Sequence, residues 1–145
     1  MIEKVGRTLP FNCEQVFDLA ADIERYPEFL PGWVSARIQR RESNICYVEQ
    51  VLGLGPLRLQ FASMAVMHRP QRIDVTSADQ PFRRFSLSWL ITAIGPDACR
   101  VAVAAEIELQ SGFLQRAIDQ ILRGTVNDII SAFESRAQLC CNKSS

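Results

Sequence analysis

SGFLQRAIDQILRGTVNDIISAFESRAQL, residues 111–139, is the stretch of sequence that decides the fold. Its apolar residues recur at steps of three and four, which places them on one face of a single long helix. The members of that face are Leu114, Ala117, Ile118, Ile121, Leu122, Thr125, Ile129, Ala132 and Phe133. A helix of this length spans roughly 40 Å. It needs an equally long partner to cover its apolar face.

The chain before the helix predicts that partner, because its side chains alternate between apolar and polar as in half-buried strands. A first strand is expected over Ile2–Leu9, and about six more follow from Trp33, joined by turns too short for parallel crossovers. Two short helices are expected between them. The first has the Asn12 and Gln15 spacing of a capping box, and Pro27 and Pro31 then predict a bent segment outside helix. The prediction is an α+β fold, an antiparallel sheet curved around the C-terminal helix.

Composition limits the classes of function. The chain has 145 residues, 16 Lys plus Arg against 16 Asp plus Glu, and 48% hydrophobic residues. We expect one domain over residues 1–141, a disordered tail at 142–145 and no DNA binding, since zero net charge gives no long-range attraction to a polyanion. No segment resembles a leader peptide or a membrane span. The odd number of cysteines argues against a disulfide framework and predicts a cytoplasmic protein. They are Cys13, Cys46, Cys99, Cys140 and Cys141.

Residues typical of catalysis or metal binding are few. His68 is the only histidine and has no partner at ligand spacing, so we predict an exposed structural residue and no metal site. Glu106 and Glu108 share one strand face, which is most simply the solvated one. The segment GLGP at residues 53–56 lacks the Lys, Ser or Thr of a phosphate loop and predicts a hairpin turn.

Four features leave alternatives open. The hairpin tip, Leu52–Leu57, is unusually apolar, so it either caps the core or forms a lid or membrane-touching tip at the mouth of a pocket. Gly124 in the middle of the helix suggests a close backbone approach or an open space beneath it. Thr125 places a hydroxyl on the apolar face, where it bonds either its own backbone or a ligand oxygen. Several aromatic residues border the same region and either fill the core or line a cavity.

Three motifs identify a resemblance. RYPEFLPG at residues 25–32, PFRR at 81–84 and AFESRA at 132–137 resemble the coenzyme Q-binding protein family. That family includes bacterial ribosome association toxins and belongs to the START-like (polyketide cyclase/dehydrase and lipid transport) superfamily. The resemblance covers nearly the whole chain in the same order. One departure is Gln80, where the family usually has glycine before Pro-Phe, so the shape of that turn is expected to differ.

The resemblance implies a helix-grip fold that binds ubiquinone or a similar isoprenoid lipid without a catalytic cofactor, in support of respiration. It implies transient contact with the inner membrane surface. The expected ligand-binding residues are Phe29, Trp33, Leu52, Phe61, Phe82, Trp89, Leu114, Ile118, Ile121 and Thr125. The expected mouth of the pocket consists of Tyr26, Pro27, Pro31, Leu54 and Pro81.

Two other functions stay open. The chain is alternatively a toxin-like protein that binds a ribosomal subunit, using local patches of basic side chains. These are Arg37, Arg40, Arg41 and Arg58, or Arg83 and Arg84. The third is an enzyme of the cyclase or aromatase type, for which the sequence offers only Thr125 and Tyr47 as polar groups. Fold alone does not choose among the three.

Overall fold

A computed structural model of the chain describes residues 2–141. The helices are α1 (Cys13–Ala21), a 3-10 turn (Ile23–Arg25), α2 (Tyr26–Phe29) and α3 (Gly112–Cys141). The strands are β1 (Ile2–Leu9), β2 (Trp33–Glu42), β3 (Ile45–Leu54), β4 (Leu57–His68), β5 (Arg72–Ser77), β6 (Phe82–Gly95) and β7 (Ala98–Leu109). The tail predicted over residues 142–145 lies outside the described residues.

All seven strands form one antiparallel sheet in the order β1-β7-β6-β5-β4-β3-β2. The β-hairpins run in sequence from β2 to β7, and β1 closes the far edge by pairing with β7 from Ile2↔Glu106 to Leu9↔Cys99. This arrangement confirms the predicted helix-grip, START-like fold. None of the helices between residues 2 and 141 combines the length and hydrophobicity that a membrane span requires.

The short helices follow from local sequence. The Asn12 side chain accepts from the Gln15 backbone N–H while the Gln15 side chain accepts from the Asn12 backbone N–H, so the predicted capping box is confirmed. The prediction of a segment outside helix between Pro27 and Pro31 was wrong up to Phe29, the last residue of α2, and correct from Leu30. Pro27 sits in the first turn of α2, where the missing N–H of proline costs no hydrogen bond.

The α3 helix is tied to the sheet at both ends. Near its start, the Gln115 side chain donates to the Ile107 carbonyl (3.1 Å) and accepts from the Leu109 N–H. These β7 groups follow the part of β7 that pairs with β1, so the amide links the start of the helix to this strand. In its second half, Glu134 and Ser131 accept from the Arg7 guanidinium of β1 at 2.9 and 3.0 Å. Both anchors hold the helix against the β1–β7 side of the sheet.

The buried face of α3 matches the prediction in part. Ile118, Leu122, Ile129 and Phe133 are buried as expected, whereas Ala117 is exposed. Four further residues of α3 are buried although they were not predicted, because the buried face of the helix is rotated away from Ala117. They are Val126, Ile130, Ala137 and Cys141.

Candidate functional site

A small apolar cavity lies between α3 and the concave face of the sheet. The wall contributed by α3 consists of Leu122, Thr125, Val126 and Ile129. The β2–β3 side of the sheet and the β6–β7 side both contribute to the opposite wall, which shows that the sheet curves around the helix. The sheet-side lining is Pro31, Gly32, Trp33, Leu52, Leu54, Phe85, Ser86, Leu87, Ala105 and Ile107.

The cavity measures about 30 Å³, whereas pockets for small-molecule ligands measure roughly 300–1,000 Å³. The hairpin tip borders it through Leu52 and Leu54. Leu52 and Leu54 are buried, and a Cβ atom placed on Gly55 would lie 2.8 Å from Cδ1 of Ile121. The tip thus contacts Ile121 of α3, caps the core and also borders the cavity, so the two alternatives above do not exclude each other. A larger cavity requires the tip and the helix to separate.

The structure brings together five of the fifteen residues predicted for the site. Three predicted ligand contacts, Trp33, Leu52 and Thr125, line the cavity, and so do two predicted mouth residues, Pro31 and Leu54. The other predicted residues lie around it or away from it.

Phe61 and Phe82 stand directly behind the cavity wall. Their ring centroids lie 4.8 and 5.0 Å from that of Phe85, which does line the cavity. Trp89 belongs to a closed part of the core, where its ring packs 4.8 Å from Phe133. Some of the aromatic side chains therefore line the cavity, as Phe85 does, and others fill the core, as Trp89 does.

Four more predicted contacts do not border the cavity. The guanidinium carbon of Arg136 lies over Phe29, 5.0 Å from the centroid of the phenylalanine ring. Ile118 is fully buried in the core, and Leu114 is half-buried near the start of α3. Ile121 contacts the hairpin tip instead of the cavity.

Three predicted mouth residues are also outside the lining. Tyr26 is buried and donates from its hydroxyl to the Ala20 carbonyl, and burial raises its pKa well above the ordinary value. Pro27 lies in α2, and Pro81 follows a cis peptide bond in the turn before β6. Gln80 adopts no positive φ there. The turn is formed without the glycine that the resemblance led us to expect.

The predicted site left out the β6–β7 wall and three of the four α3 residues. Alternation along β6 and β7 places Phe85, Leu87 and Ile107 on the inward side of the sheet, but it does not tell which inward residues face a cavity. The helical register supplied a usable signal. Leu122 lies three residues before Thr125 and Ile129 lies four residues after it, so both share its face of the helix.

Thr125 lines the cavity, but Gly124 does not mark a space beneath the helix. Gly124 is exposed, and a Cβ atom placed on it would meet nothing within 4 Å, so the inference drawn from this glycine was wrong. The Thr125 hydroxyl donates to the Ile121 carbonyl at 2.7 Å. It bonds its own backbone, which was one of the two expected alternatives.

A buried chain of polar groups adjoins the cavity. The Trp33 indole N–H donates to Oε1 of Gln50 at 2.8 Å, and Nε2 of Gln50 donates to the Ser63 hydroxyl at 2.7 Å. Ser63 in turn donates to the Val48 carbonyl at 3.0 Å. Gln50 and Ser63 are the two buried polar residues among those described.

Other candidate polar groups lie outside the cavity. Tyr47 is on the outer face of the sheet, where the Arg40 guanidinium stacks 4.2 Å from its ring centroid. Glu106 pairs with Arg84 at 3.1 Å on that outer face, and His68 is exposed at the end of β4. Within residues 2–141, no cluster of three or more His, Cys, Asp or Glu side chains is arranged to hold a metal ion.

Within residues 2–141, none of the five cysteines forms a disulfide bond. Burial raises the pKa of the Cys99 thiol to about 11, and it raises the pKa of Cys141 as well. Both are therefore protonated and poorly nucleophilic near neutral pH.

Known proteins resemble the chain over nearly its full length. A ribosome association toxin RatA of Vibrio cholerae is 29% identical over 94% of this chain and 96% of its own length. A mitochondrial coenzyme Q-binding protein COQ10 of Dictyostelium discoideum is 22% identical over 92% of this chain and 67% of its own.

The fold is also found in solved structures. The Zhui aromatase/cyclase from a Streptomyces species superposes with a TM-score of 0.85 at 9% identity, over 95% of this chain and 93% of that one. The model of the family described as polyketide cyclase/dehydrase and lipid transport matches residues 9–134. The chain therefore belongs to the polyketide cyclase/dehydrase and lipid transport family.

Proposed function

We propose that this protein binds an isoprenoid quinone such as ubiquinone, or a related lipid, between α3 and the concave face of the sheet. The observation that carries the proposal is the apolar cavity bordered by an apolar hairpin tip. Family membership and the coenzyme Q-binding relative support the choice of ligand. The protein holds its ligand without chemical change, in support of respiratory quinone function.

Ligand entry requires the cavity to grow from about 30 Å³. The groups that must separate are apolar: Leu54 and Gly55 of the tip on one side, and Ile121 of α3 on the other. An isoprenoid tail offsets the loss of these contacts, because each buried methylene contributes about 0.8 kcal/mol. The protein takes its ligand from a membrane by transient contact with the surface, as a cytoplasmic protein.

The test is extraction of ubiquinone from loaded vesicles, followed by mass spectrometry of the protein after its separation. We expect the wild-type protein to retain ubiquinone at close to one molecule per chain. Thr125→Phe fills the cavity from the helix side and is expected to abolish retention. Ala117→Phe adds the same ring on the exposed face of α3 and serves as the matched control. Absence of quinone from the wild-type protein, or equal retention by Thr125→Phe, refutes the proposal.

Association with a ribosomal subunit is a second candidate function, favoured by the RatA relative. The exposed arginines of edge strand β2 are the groups to test. Arg37 has no ion pair within residues 2–141, whereas Arg40 pairs with Glu42 at 3.5 Å.

Co-sedimentation with purified subunits tests this function. Binding through arginines must weaken as salt rises, because phosphate contacts release counterions. We expect Arg37→Glu with Arg41→Glu to abolish co-sedimentation, whereas Arg83→Glu with Arg84→Glu at the other predicted patch leaves it intact. Sedimentation of the wild-type protein away from the subunits at low salt rules the second candidate out.

A further inference from the structure

The buried polar chain beside the cavity has a fixed direction. An indole N–H can only donate, so the Gln50 atom facing Trp33 must be the amide oxygen. The amide nitrogen therefore faces Ser63, whose hydroxyl uses its single hydrogen on the Val48 carbonyl. The orientation of Gln50 follows from its partners and is not an arbitrary assignment.

This chain leaves one donor unused. A glutamine amide has two N–H groups, and one of them bonds Ser63. Among residues 2–141 the other N–H of Gln50 has no hydrogen-bond partner, although the residue is only 2% exposed. A buried donor without a partner costs free energy, and an apolar residue of similar size would avoid that cost.

The position of Gln50 connects this donor to the cavity. Along the inward face of β3, Gln50 comes one step deeper than Leu52, and Leu52 and Leu54 both line the cavity. Trp33, its other neighbour, also lines the cavity. Trp33 lies on an edge strand, next to an irregularity in the pairing of β2 with β3. A ligand that enters past the tip and moves the Trp33 ring reaches the amide of Gln50.

We propose that the Gln50 amide is the polar end of the binding site and donates its free N–H to a carbonyl oxygen of the ligand's head group. This inference rests on the proposed function and makes it more specific. The site then distinguishes a quinone from an oxygen-free hydrocarbon with the same tail. Ser63 acts as a positioning residue, because its hydroxyl fixes the orientation of the amide.

The test compares decylubiquinone with decylbenzene, which has the same tail on a ring without oxygen atoms. Both are titrated into the wild-type protein, Gln50→Leu and Val48→Ala. We expect Gln50→Leu to lower the affinity for decylubiquinone by roughly tenfold and to leave that for decylbenzene unchanged. Val48→Ala is the matched control, since it removes buried volume from the same face of β3 and should change both affinities equally.

A second measurement covers the case in which Gln50→Leu does not fold. The infrared carbonyl stretch of decylubiquinone bound to the wild-type protein should lie below its position in hexane, as a hydrogen-bonded carbonyl requires. An unshifted stretch overturns the inference. The inference is also overturned if Gln50→Leu leaves the ratio of the affinities for decylubiquinone and decylbenzene unchanged. Binding of neither ligand to the wild-type protein overturns the proposed function itself, and this inference with it.

Discussion

At the scale of single residues, Gly55 determines how closely the hairpin tip approaches α3. Its φ of +59° lies in the left-handed region that side chains other than glycine rarely adopt. A Cβ atom at this position would also press on the end of the Ile121 side chain. The apolar tip packs against the helix because residue 55 has no side chain.

Gly55→Ala should therefore lower the free energy of unfolding by about 1–2 kcal/mol, mostly from the left-handed backbone. The Ile121 contact adds less, since the end of a flexible side chain can move. Urea unfolding at equal m-values measures the change.

Gly53→Ala is the matched control for this prediction. It lies in the same hairpin without a positive φ, and its Cβ would meet Val34 at an ordinary 3.4 Å. Equal stability of the two variants would show that Gly55 is not under the constraint described here.

The sequence was a good guide to residues whose role depends on their nearest neighbours in the chain. Asn12 and Gln15 were identified as a capping box from spacing alone, because both partners lie within four residues. For Gln50, the alternation of side chains predicts a place in a strand and nothing more. Its role depends on Trp33 and Ser63, which lie 17 and 13 residues away, and only the folded sheet brings these three together.

At the scale of elements, the α3 helix was predicted almost to its ends, because its apolar period extends over about eight turns. Apart from Thr125, the residues of α3 that face the cavity were not predicted. The apolar residues are spread widely enough around the helix to fit several rotations about its axis. The wall of the cavity depends on which rotation packs best against β6 and β7. That choice is made by tertiary packing and not by local sequence.

The exposed position of Gly124 gives a prediction for α3. Gly124→Ala should raise the free energy of unfolding by up to about 1 kcal/mol, because alanine is the better helix former and its methyl group meets no neighbour. Ubiquinone retention should not change. The measurements are the urea midpoint and the vesicle assay.

Gln120→Ala is a suitable comparison, because Gln120 is exposed one turn earlier and alanine gains little over glutamine there. Loss of stability or of quinone retention in Gly124→Ala alone would mean that the helix needs its glycine after all.

At the scale of the whole molecule, one hydrophobic core joins both edges of the sheet to α3. Trp33 is on edge strand β2, and Trp89 is on β6 near the middle of the sheet. Tyr26 contacts both, with ring centroids 5.4 and 6.1 Å away. We therefore propose that residues 1–141 form a single cooperative domain.

Two single-tryptophan variants test this cooperativity. In Trp89→Phe the fluorescence reports on Trp33, and in Trp33→Phe it reports on Trp89. Within each variant, we expect urea unfolding followed by fluorescence to coincide with unfolding followed by far-ultraviolet circular dichroism. A fluorescence transition of Trp33 that precedes the loss of secondary structure would contradict a single cooperative domain.

The two anchors of α3 bear on how the proposed ligand would enter the cavity. The Gln115 side chain bonds the start of the helix to β7, and the Arg7 guanidinium bonds its second half to β1. Because α3 is held near its start and in its second half, we expect it to stay in place when the proposed ligand enters. We expect the β2–β3–β4 side of the sheet to move instead. There β2 is the edge strand, and Gly55 of the tip lies against Ile121 of α3.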